Sequence, residues 1–184
     1  MAQYAPSNSN IQPWHMVFAS GASRDRLVAA LIDEAQRRPS NIPPLPASFQ
    51  HFRNELGAQV YGAMGISRED TARHAAAVLR NWEFFRAPVA GIVCMHRDLG
   101  PADAHSVGMF LQTLPLALTE RGLGSCVEVS ISGYPKIVRA QLAIPTELSI
   151  LCGLAIGYPD PEFPANKLHI AREPIGENVV FLDN

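Results

Sequence analysis

Residues 89–95, Val-Ala-Gly-Ile-Val-Cys-Met, form an unbroken apolar run, β-branched in part, fenced by Pro88 in front and by His96, Arg97 and Asp98 behind. A run of this length with such borders reads as a central strand buried on both faces. A strand that needs cover on two sides calls for a layered domain, and the 184 residues suffice for one such domain spanning 1–184. Even with Ala87 included, this longest apolar stretch is far too short to cross a bilayer. The polar start (Gln3, Ser7, Asn8, Asn10) offers no secretory leader, so no membrane partner is expected.

Around that strand, helical and strand patterns alternate without a repeat. Residues 16–20 read as a short strand. Ser23 is placed as the N-cap of a helix whose buried face is Leu27, Val28, Leu31, Ile32 and Ala35. Pro39 stops that helix, and Pro39, Pro43, Pro44 and Pro46 make residues 38–48 a stiff loop or lid. Residues 49–61 read as helix, and Ser67 with Asp70 forms a capping pattern for a helix running to about Arg80. Residues 106–121 are apolar nearly all round, which assigns that helix to a core or a subunit interface, with Pro115 inside it as a kink. A strand over 126–131, a short helix from Pro135 to Ala143 and a buried strand over 149–156 follow. The chain then closes with a proline-containing arm, 159–174, and a lone strand at 178–182, a natural candidate for addition to another subunit's sheet.

Charge and composition exclude more than they assign. A net charge of −2 leaves no basic excess for phosphate backbones, so no nucleic-acid partner is expected. Cys94, Cys126 and Cys152 are an odd number, far apart and without CxxC spacing, which reads as buried free thiols in a reducing, cytoplasmic compartment. The six histidines are scattered, so no metal site is expected. The glycine-rich phosphate loops and the nucleophile elbow are missing, and no catalytic acid–base or nucleophile set assembles from the residues. The segment Pro6-Ser7-Asn8-Ser9-Asn10 stands out as dense in hydrogen-bonding groups. It either clasps a ligand rich in heteroatoms or forms a turn with Asx caps, and the residues alone leave both open.

Ala5-Pro6-Ser7-Asn8-Ser9-Asn10-Ile11-Gln12-Pro13-Trp14-His15 resembles the "APSxxNxQPW" stretch of the nitroreductase family of flavoproteins. The similarity continues in family order through Phe85-Arg86-Ala87-Pro88-Val89, Gly108-Met109-Phe110-Leu111-Gln112, Gly122-Leu123-Gly124, Gly153 to Asp160, and Arg172-Glu173-Pro174. The lid and the Gly-Tyr-Pro-Asp terminus place it nearest the nitrobenzoate-reductase-like branch. The resemblance implies an α+β fold: a mostly antiparallel sheet flanked by helices, with a C-terminal strand reaching the partner of a homodimer. It also implies FMN at the subunit interface, NAD(P)H as co-substrate, and a small-molecule electron acceptor such as a nitroaromatic or a quinone. The cofactor then carries the redox chemistry, which accounts for the absent catalytic set.

By position, Pro6, Ser7 and Asn8 match residues reaching the flavin from the neighbouring subunit. Val129, Ser130 and Ile131 match the segment laid along the ring, and Arg172 matches the arginine that pairs with the phosphate. Trp14 is assigned to the core, and Phe49, Tyr61 and Trp82 are candidates to border the substrate. One departure stands out. The family pattern opens with Arg-Arg-Ser-x-Arg about two dozen residues before the "APS" stretch, whereas Ala5 here follows Met1 by four positions. Lacking that motif, the chain is expected to hold its flavin less tightly. The alternatives are a truncated flavin-binding or inactive dimeric remnant, or a same-fold flavoenzyme with another acceptor, as in reductive dehalogenation.

Overall fold

The computed structural model describes residues 1–182, which cluster into two units: Met1–Pro44 with Ala75–Pro159, and Leu45–His74 with the chain from Asp160 onward. The first unit holds a four-stranded antiparallel sheet of order β1-β2-β4-β3, built from β1 (Trp14–Ser20), β2 (Val89–His96), β3 (Gly124–Glu128) and β4 (Leu148–Gly157). The predicted central strand is β2, and every residue from Ala90 to Met95 is buried.

Alternation along β2 sends its side chains to two cores. Ala90, Ile92 and Cys94 join Leu27, Val28 and Leu31 of α1 (Gly21–Arg37), Val138 of α5 (Pro135–Leu142), and Trp82, Phe84 and Ile131. Val93 and Met95 join Trp14, Cys152, and Val107 and Phe110 of α4 (Pro101–Thr119). The first unit is therefore three layers, with α1 and α5 on one face of the sheet and α4 on the other. A bulge between Val93 and Cys94 shifts the pairing from Cys152 to Ile150.

In the second unit, α2 (Gln50–Ala63) is followed by α3 (Thr71–Leu79), which continues into the first unit. Asp70 Oδ1 accepts the Arg73 N–H at 3.0 Å and so caps α3, as one member of the expected Ser67–Asp70 capping pattern. The chain ends in a short turn, α6 (Ile175–Asn178).

Several expectations are corrected. Helix α1 starts at Gly21 rather than after Ser23, because the Ser23 hydroxyl accepts from the Arg26 guanidinium instead of capping the backbone. Helix α4 runs on through Pro115 and buries Asp103, Ser106, Val107 and Phe110 within one copy, so the core alternative covers only part of it, and the exposed Met109 and Leu116 keep the interface alternative open. The strand drawn over 126–131 stops at Glu128, and Val129–Gly133 coils into a 3-10 turn. The terminal run is corrected at its start: Asn178 closes α6, while Val179, Val180, Phe181 and Leu182 are exposed and pair with no strand of their own copy. All three cysteines are free, but Cys126 lies on the outer strand and is exposed, while only Cys94 and Cys152 are buried. Among the described residues no helix is long and apolar enough to cross a membrane, and no cluster of metal-ligating side chains occurs.

Candidate functional site

The N-terminal polar segment is a short 3-10 turn, Asn8–Asn10, in an exposed loop. Ser9, Asn10 and Gln12 have φ of +48°, +56° and +48°, a left-handed conformation that non-glycine residues adopt at a cost. Local bonds enforce it. The Gln12 N–H donates to Ser7 Oγ at 3.1 Å, and Gln12 Nε2 donates to the Asn10 carbonyl at 3.0 Å. The Asn8 N–H donates to Ser106 Oγ at 3.3 Å, which ties the loop to the buried face of α4. Trp14 completes the anchor in the core, as expected. It stacks on Phe110 with ring centroids 4.9 Å apart and donates its indole N–H to Gln3.

Val129, Ser130 and Ile131 are held from the opposite face of the sheet. Trp82 Nε1 donates to the Ser130 carbonyl at 3.2 Å, and the Ser130 hydroxyl donates to Asn81 Oδ1 at 3.4 Å. Ile131 is fully buried beside Phe84, whereas Val129 is 57% exposed. The far end of the turn is docked as tightly. The Gly133 carbonyl accepts the Asn41 N–H at 3.1 Å, and a Cβ at Gly133 would fall 2.8 Å from Ser40 Cβ. Tyr134 Oη donates to the Arg38 carbonyl at 2.6 Å, so the start of the predicted lid is packed down rather than free. Trp82 itself is buried, hence it supports the turn instead of lining an open surface.

The support is itself braced. Phe84, Phe85 and Arg86 carry φ of +52°, +49° and +65°, a second run of left-handed non-glycine residues. Arg24, on the first turn of α1, fastens it by donating from Nε to the Ala87 carbonyl at 3.1 Å and from Nη2 to the Glu83 carbonyl at 2.8 Å. Sequence reasoning missed Arg24, Asn81 and Phe84, whose partners lie far away along the chain.

It also missed Glu128, which ends β3 one residue before the turn. Glu128 is 3% exposed, and neither carboxylate oxygen has a hydrogen-bond partner among the described residues. Burial pushes its carboxyl from the ordinary 4.5 up to about 9, so the group is a neutral acid at neutral pH. An acid inside the Cys-Val-Glu-Val stretch of a strand was the signal available. The buried thiols of Cys94 and Cys152 are pushed up to about 11, mainly by desolvation, and are inert in the same pH range.

Arg172 belongs to the second unit and is exposed, donating from Nη1 to the carbonyls of Ile170 and Ala171 at 2.8 and 3.2 Å. Among the described residues it makes no ion pair. In the same unit, Phe49 is exposed and Tyr61 lies against His74 with ring centroids 4.2 Å apart.

The profile of the Nitroreductase family matches residues 1–158. The chain is 32% identical over 193 residues to nitrobenzene nitroreductase of Ectopseudomonas oleovorans, covering 98% of this chain and 83% of that relative. It is 34% identical over 192 residues to 4-nitrobenzoate reductase of Nocardioides sp. (strain LMS-CY), covering 99% and 78%. Its fold superposes with a TM-score of 0.94 and 30% identity on the crystal structure of the FMN and NADPH-dependent nitroreductase NfnB from sphigopyxis sp. strain HMH, covering 100% of this chain and 86% of that one.

Proposed function

This chain belongs to the nitroreductase family, and from that footing we propose that two copies of it hold FMN between them and pass electrons from NAD(P)H to nitroaromatic, quinone or related acceptors. FMN, when bound, supplies the hydride chemistry. The protein's own work is to bind it, orient it and keep its surroundings fixed.

The turn at residues 129–131 carries the assignment. It presents Val129 outward as an apolar support for a flat ring, while Trp82, Asn81 and Phe84 immobilise it from behind. The donor set suits the rest of the coenzyme. Ser7 and Asn8 offer hydroxyl and amide groups toward the polar side chain, and the exposed guanidinium of Arg172, which makes no ion pair among the described residues, suits a phosphate.

A homodimer is supported by how the two segments are anchored. The 6–10 loop is fixed to α4 on one face of the sheet, and the turn is fixed by Trp82 on the other, so a second copy is the simplest way to converge them. Exposed Met109 and Leu116 on α4 and the exposed apolar residues 179–182 supply surface for such a partner. Three free thiols support placing the protein in the reducing cytoplasm.

The test is spectroscopic. Purified protein is to be yellow or to take up added FMN. Under anaerobic conditions NADH or NADPH then bleaches the flavin bands, and 4-nitrobenzoate restores them. Colourless protein that takes up no added FMN refutes the assignment.

A further inference from the structure

One buried polar group, the carboxyl of Glu128, has no role in the fold or in the site as described so far. Pairing places Val17, Ile92, Gly153 and Glu128 opposite one another across the four strands, so Glu128 ends a row whose other members are apolar or have no side chain. A buried carboxyl that makes no hydrogen bond destabilises the fold relative to a well-packed apolar residue, because its lost hydration is not replaced. Orphaned polar groups of this kind are few in folded proteins and call for an explanation. This one directly precedes the turn assigned to the coenzyme ring, on a segment braced against movement by Trp82 and Asn81.

We propose that Glu128 is a positioning residue that acts electrostatically, a proton-operated charge set behind residues 129–131 that governs how readily the bound ring accepts electrons. The proposal rests on the function proposed above. With its proton in place the carboxyl adds no charge to the site. When the proton leaves to solvent, one full negative charge remains in a low-dielectric setting, and the electron-rich reduced coenzyme becomes harder to form.

The surroundings leave that charge uncompensated. On its own strand the ionisable neighbour is Cys126, and on β4 it is Cys152. On α4 they are Asp103 and His105, on α5 Lys136 and Arg139, and on the supporting turn Glu83 and Arg86. Asp103 accepts the Gly100 N–H, Arg139 donates to the carbonyls of Pro145 and Leu148, and Glu83 pairs with Arg86 at 3.2 Å. The two thiols register Glu128: Cys126 is raised by desolvation first and by the carboxylate after it, and Cys152 by desolvation, then by Cys94, then by the carboxylate.

The experiment uses the FMN-loaded protein and its Glu128→Gln variant, which keeps the shape and removes the ionisation. The midpoint potential of bound FMN is measured against reference dyes from pH 6 to pH 10, and infrared spectra of both proteins are compared at pH 7. The proposal expects the two potentials to coincide at pH 7. It expects the wild-type reduction equilibrium to fall at least tenfold below the variant's at pH 10, about 30 mV for two electrons. A protonated-carboxyl band at pH 7, absent from the variant, is the second expected result. Bound FMN with no pH-dependent gap, or no such band, overturns this role and leaves the proposed function standing. Failure of both proteins to bind FMN overturns the function, and this role falls with it.

Discussion

A single methyl group added at Gly153 tests whether the turn at 129–131 is as immobile as its packing implies. A Cβ there would lie 2.5 Å from Ile131 Cγ1, 3.0 Å from Ile131 Cβ and 3.0 Å from Phe84 Cε1. Carbon atoms rest at about 3.5–4.0 Å, so roughly 1 Å must be found. Rotation of Ile131 moves its Cγ1 at about 0.5–1.5 kcal/mol, but its Cβ is fixed to the turn backbone and Phe84 is fully buried. Relief therefore requires the turn to shift. Gly153→Ala is expected to cost about 1–3 kcal/mol, a fall in Tm of about 2–12 °C for a chain of this size. The displaced turn is also expected to raise the FMN dissociation constant about tenfold, or 1.4 kcal/mol. The assays are thermal unfolding by circular dichroism and fluorescence titration with FMN. Gly57→Ala on α2 is the comparator: its Cβ meets only the Tyr61 ring at 3.7 and 3.8 Å, so the substitution should stabilise by about 0.5–1 kcal/mol and leave FMN binding alone. A Gly153→Ala protein with wild-type Tm refutes the packing argument. A destabilised one with unchanged FMN affinity detaches the turn from the ring.

Arg172→Ala should weaken FMN binding by about 1.5–3 kcal/mol in equilibrium dialysis while leaving the urea midpoint in place, since among the described residues the guanidinium hydrogen-bonds only the carbonyls of Ile170 and Ala171. Leu116→Lys places a charge on the exposed apolar face of α4, and sedimentation should show monomer with lost FMN; an intact flavin-loaded dimer would acquit that face. For the coenzyme-free fold, Glu128 binds a proton that the unfolded chain releases near 4.5, so its contribution is fully present below that pH and is lost as pH rises toward about 9. Urea unfolding at pH 6 and pH 8 should show wild-type stability falling by up to about 1.4 kcal/mol per pH unit, with Glu128→Gln nearly flat.

Strands and helices were legible wherever one residue class repeats at one period. Strand β2 is apolar without a break, β4 nearly so, and α1 shows its buried Leu27, Val28 and Leu31 at helical spacing. The same logic failed at 129–131, where Val-Ser-Ile alternates like a strand but the backbone turns so that Ile131 dips beneath Gly153. At 178 the bound was off by one residue, since Asn178 closes α6, and the apolar run after it pairs with no strand of its own copy. For the site, the resemblance named the segments expected to face the coenzyme, but not what holds them. The bonds from Trp82 to Ser130 and from Arg24 to Ala87 span 48 and 63 residues, and no local pattern records such a distance. Glu128 was overlooked for another reason: an acid in a strand ordinarily points to solvent, and only the register shows it in line with Ile92 and Gly153.

The two loops assigned to the coenzyme meet the same physical demand in two ways. The 6–10 loop is itself bent through left-handed residues, with Ser9, Asn10 and Gln12 held there by Ser7 and Ser106. The 129–131 turn has no positive φ among the described residues; the strain lies behind it, in Phe84, Phe85 and Arg86, which Arg24 secures. Left-handed non-glycine residues cost of order 1–3 kcal/mol each and persist only where surrounding contacts over-determine them. Rigid loops are what a protein needs if a bound group does the chemistry, because potential and orientation then depend on distances that must not drift. Rigidity alone does not close the site, however. Each loop is locked to its own face of one sheet, so neither can travel to the other within a copy, and under the proposed function the same bonds that fix the geometry leave a second copy to complete the site.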